Sequence, residues 1–388
     1  LTTLLRDEWG FDGVVVSDWG AAHDTVGAAV GGLTIAMPGP RTVFGAALAE
    51  AVRDGRVESA LVDARVAEVA RLAERTRAFD LGADRAQECV DDPAERALCR
   101  EAAVGGIVLA RNTGTLPLAP TGTIAVIGPN ARTTRIMGGG SSALRPVPAA
   151  SVLDALTERF GERVLGHAAG AVLDKLLPVL TGAVLRAPDG TEGLRVEIRN
   201  GGDLGDSADA EAVAADTAPE SSLLMFGQAV PGQADEFTVE LSGAIVPDAD
   251  GTYEVGALVA GAGRITVGAT ALVDDPDGQL PRGDYLFGMA SEEQLARIDA
   301  RAGEPIPLRI VTTGRDGFAA ARFGMRRVAD RPPIEAAVEL AAVADVAVVV
   351  VGTTDEWETE GHDRDDLVLP GDQDELVRRA AQFQAQSK

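Results

Sequence analysis

From residue 1 to about 80 the chain alternates short, continuously apolar runs with longer stretches of helical period. Gly13-Val14-Val15-Val16-Ser17 and residues 33–37, closed by Pro38-Gly39-Pro40, predict two strands. Residues 23–31 predict a helix, and residues 42–77 a long helical stretch interrupted at Asp54-Gly55. Continuous apolar strands between helices predict a parallel, buried sheet, but two such strands are too few to stand alone. Residues 81–100 turn polar and acidic, as a linker does. Residues 101–109 then predict a helix, 123–128 a buried strand, 138–142 a loop, and 151–160 a helix with Ser151 placed to cap it. From about residue 185 the period drops to two. Residues 194–198, 236–241, 253–259 and 265–273 are short alternating runs, bounded by Asp250-Gly251 and Asp277-Gly278 turns, which predicts an all-β sandwich. Residues 334–342 are helical again, 346–351 form a buried strand, and 372–384 an amphipathic helix. A β module therefore interrupts an α/β domain, whose halves flank it.

Length and charge narrow the function classes. At 388 residues, the chain has room for two to three domains at ~150 residues each. Sixty acidic against thirty-five basic side chains leave a formal charge of −25, which disfavours nucleic acid and anionic membrane surfaces as partners. No apolar run approaches the ~20 residues of a spanning helix; the densest, 341–351, is interrupted by Asp345. Two cysteines make neither a disulfide framework nor a four-cysteine zinc site. Cys89 and Cys99 read as plain thiols, and His167 as structural.

Two segments carry candidate chemistry. Ser17-Asp18-Trp19-Gly20 follows the first strand, where functional side chains of parallel α/β folds gather. Asp18 beside an indole has the parts of a sugar site, a carboxylate for the anomeric carbon and a ring for a sugar face; equally, Asp18 could cap the next helix. The second segment, residues 355–366, packs seven carboxylates, one Arg and one His into twelve residues after a buried strand. It reads as a solvated acidic loop, a divalent-metal site, or a source of a carboxylic acid kept protonated by its like-charged neighbours. Gly138-Gly139-Gly140 lacks dinucleotide or Walker spacing and reads as a turn. Asp248-x-Asp250-Gly251 reads as a hairpin turn rather than a calcium loop.

Taken together, these segments resemble glycoside hydrolase family 3. Residues 5–21, Leu-Arg-Asp-Glu-Trp-Gly-Phe-Asp-Gly-Val-Val-Val-Ser-Asp-Trp-Gly-Ala, are similar to the stretch around that family's nucleophile, continued by His23-Asp24-Thr25-Val26 and Met37-Pro38-Gly39-Pro40. Ile107-Val108-Leu109-Ala110-Arg111-Asn112, Leu116-Pro117-Leu118 and Ile124 through Asn130 resemble the opening of its second domain. Glu360-Gly361-His362-Asp363-Arg364, then Leu369-Pro370-Gly371-x-Gln373, resembles its acid/base loop. The β region, with Leu241-Ser242-Gly243 and Gly251-Thr252-Tyr253-Glu254, is similar to a PA14 domain, which in β-glucosidases of this family overhangs the active-site mouth.

The resemblance implies an α/β multidomain chain. Residues 1–80 would be the C-terminal remnant of a (β/α)8 barrel, 81–100 a linker, 101–180 and 329–388 two parts of an α/β sandwich domain, and 185–328 a PA14-like β-sandwich. It implies a retaining, exo-acting β-glucosidase-type hydrolase without metal or organic cofactor, acting on a small oligosaccharide or β-glycoside. Asp18 would be the nucleophile, Glu360 the acid/base, Trp19 a wall of the sugar subsite and Glu358 the runner-up acid. Retaining chemistry requires the two carboxyls about 5–5.5 Å apart. Asp363 and Arg364 would form an ion pair shaping the loop. The family's sugar-binding Lys-His pair, Arg and Asp lie upstream of the nucleophile, and a barrel takes ~250 residues, so a chain starting at Leu1 is expected to be an internal piece with negligible activity. A non-catalytic carbohydrate-binding protein built on the β module is the rival reading, and a metal-dependent hydrolase the third. Sugar preference, compartment and homo-oligomerisation stay open.

Overall fold

A computed structural model describes residues 1–39, 42–81, 90–140, 150–202, 204, 211–225, 230–360 and 363–386, so Gly361, His362, Cys89, Pro40, Ser141 and Ser142 lie outside the described residues. The chain forms two compact units, the first from Leu1–Val90 and the second beginning at Asp91.

The first unit opens with a π-helical turn, Thr2–Glu8, followed by α1 (Thr25–Gly31), α2 (Ala46–Arg53), α3 (Ser59–Arg75) and α4 (Ala78–Leu81). Ala29, Ala51 and Val57 form its small core, joined by partly buried neighbours such as Val26, Phe44 and Leu48. The two expected strands shrink to a single parallel bridge, Val16 to Ile35. The Val15 carbonyl accepts from the Thr34 and Ile35 N–H groups, and Ser17 N–H donates to the Ile35 carbonyl at 2.9 Å. The ladder stops there because the Val15 N–H is taken by the Thr34 hydroxyl, 3.1 Å away. Val16 is 53% exposed, so the expected burial on both faces does not hold here. The cap of α1 is Asp24, whose side chain accepts from Gly27 N–H, so Asp18 is not the cap.

The second unit begins with α5 (Pro93–Gly106), eight residues earlier than the helical period alone suggests. Asp92 accepts from Ala94 N–H and Pro93 occupies the first turn, a strong start signal lying inside the stretch read as a polar crossing. Strand β1 (Ile124–Ile127) follows, then α6 (Val152–Phe160) and β2 (Val164–Ala168). Ser151 caps α6 in a reciprocal box with Asp154.

The β region comprises β3 (Leu185–Arg186), β4 (Leu194–Asn200), β5 (Ala214–Ala218), β6 (Ser222–Met225), β7 (Glu236–Ile245), β8 (Gly251–Ala260) and β9 (Gly263–Val267). It continues with β10 (Thr270–Asp275), β11 (Gln294–Ala300), β12 (Ile306–Arg315) and β13 (Ala319–Arg327). They build one sheet of order β10-β9-β12-β7-β4-β5, with β3 beside β7, and a second of order β11-β8-β13-β6. The inward residues alternate along each strand: Phe237, Val239 and Leu241 on β7 meet Tyr253, Val255 and Ala257 on β8 and Phe323 on β13 in one core. Two local expectations are corrected. The run 265–273 is not one strand, because Gly268 at φ +56° turns it into the β9–β10 hairpin. Residues 246–250 are not a hairpin turn, because β7 pairs with β12 and β4 while β8 pairs with β11 and β13. The segment instead carries the chain from one sheet to the other.

The chain then returns to the sheet of β1 and β2 through α7 (Pro333–Val343), β14 (Val346–Val349) and α8 (Gln373–Gln386). β14 pairs parallel to β1, which pairs parallel to β2, so strands more than two hundred residues apart are direct neighbours around the inserted sandwich. Ala125 and Ile127 face Ala337, Ala341 and Leu376 of the helices α7 and α8. Ile124 and Val126 pack with Leu153, Leu156 and Phe160 of α6. With both faces covered, β1 is an unbroken apolar run. Asp345, which interrupts the 341–351 run, accepts from the Thr123 N–H at 2.7 Å and hydroxyl at 2.9 Å, joining the starts of β14 and β1. Those bonds hold its carboxyl below the usual carboxylate range.

Candidate active site

Asp18 lies in the first unit, two residues past the bridged Val16, at a point where the backbone is tied down on both sides. The Ser17 hydroxyl accepts from Met37 N–H at 2.9 Å, and Gly20 N–H donates to the Met37 carbonyl at 3.0 Å. The Asp18 side chain is exposed, and its Oδ1 accepts from Trp19 N–H at 2.7 Å. The Trp19 side chain is 55% exposed. A carboxylate on a pinned turn beside an open indole is suited to meet a sugar ring.

Beneath this turn sits a network that sequence reasoning passed over. Glu68, 4% exposed on α3, receives Arg6 Nη1 at 2.8 Å and Arg65 Nη2 at 2.7 Å. Its second oxygen accepts from Arg6 Nη2 at 3.0 Å and the Thr34 hydroxyl at 2.8 Å. Arg6 also donates to the carbonyls of Gly13 and Gly32. Three charges thus clamp the two segments that carry Asp18 and Met37. Glu68→Ala is expected to cost about 3–5 kcal/mol, since it leaves two guanidinium groups unpaired in a buried place. Denaturant unfolding of the chain checks this through the transition of the first unit; a loss under about 1 kcal/mol would make the cluster no better than a surface pair.

In the second unit, the acidic segment leaves the carboxyl end of β14 and the Gly138–Gly140 turn follows β1, so neighbouring parallel strands bring them together. Gly139 N–H donates to the Glu358 carbonyl at 2.9 Å. A Cβ on Gly140, at φ +79°, would stand 2.7 Å from both Cβ and Oε2 of Glu360. One on Gly139 would overlap the Asp355 carbonyl and lie 3.1 Å from the Thr359 hydroxyl. The triplet read as a plain turn is therefore the surface on which Glu360 rests, and glycine is required for the closeness of the approach. At the base of the segment, fully buried Gln373 donates to the carbonyls of Gly352 and Pro370 and accepts from Gly352 N–H. Asn130 adds a bond to the Thr353 carbonyl at 3.0 Å.

The carboxylates of this segment are sorted by partner. Asp355 pairs with Arg135 at 2.8 Å. Glu356 pairs with Arg322 of β13 at 2.9 Å. Glu358 pairs with Arg364 at 3.5 Å, and Arg364 also donates to the Val368 carbonyl. The expected Asp363–Arg364 pair is thus replaced by Glu358–Arg364. The Arg364 guanidinium is aimed back along the segment, with Nη1 toward Glu358 and Nη2 donating to the Val368 carbonyl. Beside Glu356, burial pushes the Glu293 carboxyl above its ordinary range, opposed by the Leu177 N–H and by Arg322 and reinforced by Glu356. Among the described residues, no three His, Cys, Asp or Glu side chains converge as metal ligands do. His167 lies on β2 with Nε2 2.8 Å from the Gly128 carbonyl, and Cys99 is an exposed thiol.

Residues 107–387 match the glycosyl hydrolase family 3 C-terminal domain and residues 1–72 the glycosyl hydrolase family 3 N terminal domain. A β-glucosidase of Rhizobium radiobacter is 34% identical over 393 residues, covering 98% of this chain and 46% of its own length. A probable β-glucosidase I of Aspergillus clavatus is 33% identical with the same coverage. The β-glucosidase of Kluyveromyces marxianus, solved in complex with glucose, superposes with a TM-score of 0.82 at 27% identity, over 98% of this chain and 47% of that one. DesR, a β-glucosidase of Streptomyces venezuelae solved with D-glucose, gives 0.55 at 25% identity, over 99% and 44%. The chain spans just under half the length of the relatives it matches. With one match covering most of its residues and a second covering the segment around Asp18, the chain belongs to glycoside hydrolase family 3.

Proposed function

We propose that this chain carries the catalytic residues of a retaining, exo-acting β-glucosidase. The observation that carries the reading is the support built around Glu360: a glycine turn against its side chain and a loop anchored at Glu356, Glu358 and Gln373. Preorganisation of that kind suits an acid that must meet a departing oxygen repeatedly in one geometry. The β-glucosidase relatives, two of them solved with glucose, favour a β-D-glucoside as substrate.

In this mechanism the Asp18 carboxylate attacks the anomeric carbon as the bond to the leaving oxygen breaks, and the Glu360 carboxyl gives its proton to that oxygen. A glycosyl ester on Asp18 results. Water, deprotonated by Glu360, then attacks the same carbon, releasing Asp18 and a sugar of unchanged anomeric configuration. Trp19 stacks on the sugar. Residues 1–80 belong to a catalytic barrel in this reading, and the inserted sandwich is a PA14-like module within the second domain. Because the matched relatives are about twice as long, the 388 residues alone are proposed to turn over little substrate. The test is proton NMR of early product from an aryl β-D-glucoside and the full-length gene product. The β anomer of glucose should appear first. The α anomer first would sink the retaining mechanism, and no hydrolysis of any aryl β-D-glycoside would sink the activity.

A further inference from the structure

We propose that Arg322, on a strand of the inserted sandwich, is a positioning residue for the Glu360 carboxyl and acts through Glu356; this rests on Glu360 being the acid/base. Arg322 lies in the middle of β13, 9% exposed, on a strand held by β8 on one side and β6 on the other. Its Nη2 donates to Glu356 Oε1 and to the Leu177 carbonyl, each at 2.9 Å, and the Tyr285 ring centre lies 5.6 Å from its guanidinium carbon. A buried cation is tolerated only with a counter-charge in good geometry, and Glu356 supplies it. The other Glu356 oxygen accepts from Lys175 N–H at 2.8 Å and Leu176 N–H at 3.3 Å. The carboxylate therefore sits in a socket of charge-assisted bonds.

The socket is built from segment 173–177, which leads toward the insert, and from the insert's late strand β13. Trp357, the next residue, donates from Nε1 to the Leu173 carbonyl at 2.6 Å. The N–H groups of Trp357 and Glu358 both donate to the Thr354 carbonyl at 2.9 Å, so these residues form one closed turn. Gly139 fixes the far side of that turn through the Glu358 carbonyl. Only Thr359 separates this anchored turn from Glu360. A shift of the turn passes almost undiminished to Glu360, and misplacing a catalytic group by about 1 Å can cost on the order of 10²-fold in rate. The insert thus contributes to the chemistry by holding the loop that holds the acid.

The test compares kcat/KM for phenyl and 2,4-dinitrophenyl β-D-glucosides in the full-length gene product, since only the poor leaving group needs the acid. Glu360→Gln is the reference and should lose far more on the phenyl substrate. Arg322→Met is expected to lose about 10- to 10²-fold on the phenyl substrate and under about threefold on the activated one. Arg322→Lys should recover part of the loss. Combined with Glu360→Gln, Arg322→Met should add no further discrimination between the substrates. Glu356→Gln cuts the same link from the loop side and carries the comparison if Arg322→Met fails to fold by circular dichroism. Equal losses on both substrates, or unchanged kinetics, would overturn the positioning role while the Glu360→Gln discrimination still upholds the acid. Absence of discrimination in Glu360→Gln would remove the acid assignment, and this inference with it.

Discussion

Asp18→Ala is expected to abolish turnover of every β-glucoside by the full-length gene product, by on the order of 10⁴-fold or more, because no ester can form. The loss should be in kcat, with the thermal midpoint unchanged. The structure explains that separation: the Asp18 side chain is exposed and its described bond is to the neighbouring Trp19 N–H. The turn itself is held by Ser17, Met37 and the Glu68 cluster, none of which the substitution touches. A comparable fall in stability would show that Asp18 holds the turn rather than acting from it. Residual hydrolysis near the wild-type rate would move the nucleophile elsewhere.

Glu360→Ala should give a second large effect, with a different shape. Removing a general acid costs about 10²–10⁴-fold where the leaving group needs a proton, so phenyl glucoside should suffer and 2,4-dinitrophenyl glucoside should be spared in the first step. Azide, which needs no general base, should then accelerate release of the glycosyl ester and yield the β-glycosyl azide. Glu358→Ala is the necessary comparison. Its carboxylate pairs with Arg364, so its loss should alter the loop without creating an azide response. An azide response in Glu358→Ala and none in Glu360→Ala would transfer the acid role two residues upstream.

Much of the secondary structure was legible because local rules and tertiary context agree. Helices α2 and α3, split at Asp54-Gly55, are read directly from period and breaker. The Ser151 cap and the buried β1 and β14 strands follow from equally local signals. Misreadings came where pattern underdetermines partner. An Asp-Gly turn after an alternating strand looks the same whether the next strand pairs with it or crosses to the facing sheet, as β7 and β8 do. Strand β13 is not legible locally, because it reads as Ala319-Ala320-Ala321-Arg322-Phe323-Gly324, with little β-branching and a buried arginine.

For the site, the sequence by itself determined the chemistry on offer: an aspartate after a valine run, a dense acidic segment, a glycine triplet, and an order of motifs specific to one hydrolase family. Those are properties of neighbouring residues, and neighbours are what a sequence records. The tertiary structure alone decided the charge partners of Asp355, Glu356 and Glu358. Arg322 reaches Glu356 from a different sheet. Arg364 turns back to Glu358 rather than to the adjacent Asp363. The glycine triplet meets Glu360 only because β1 and β14 are parallel neighbours, more than two hundred residues apart in the chain. Charge pairing depends on distances of a few ångströms, which chain order constrains only for residues a few positions apart.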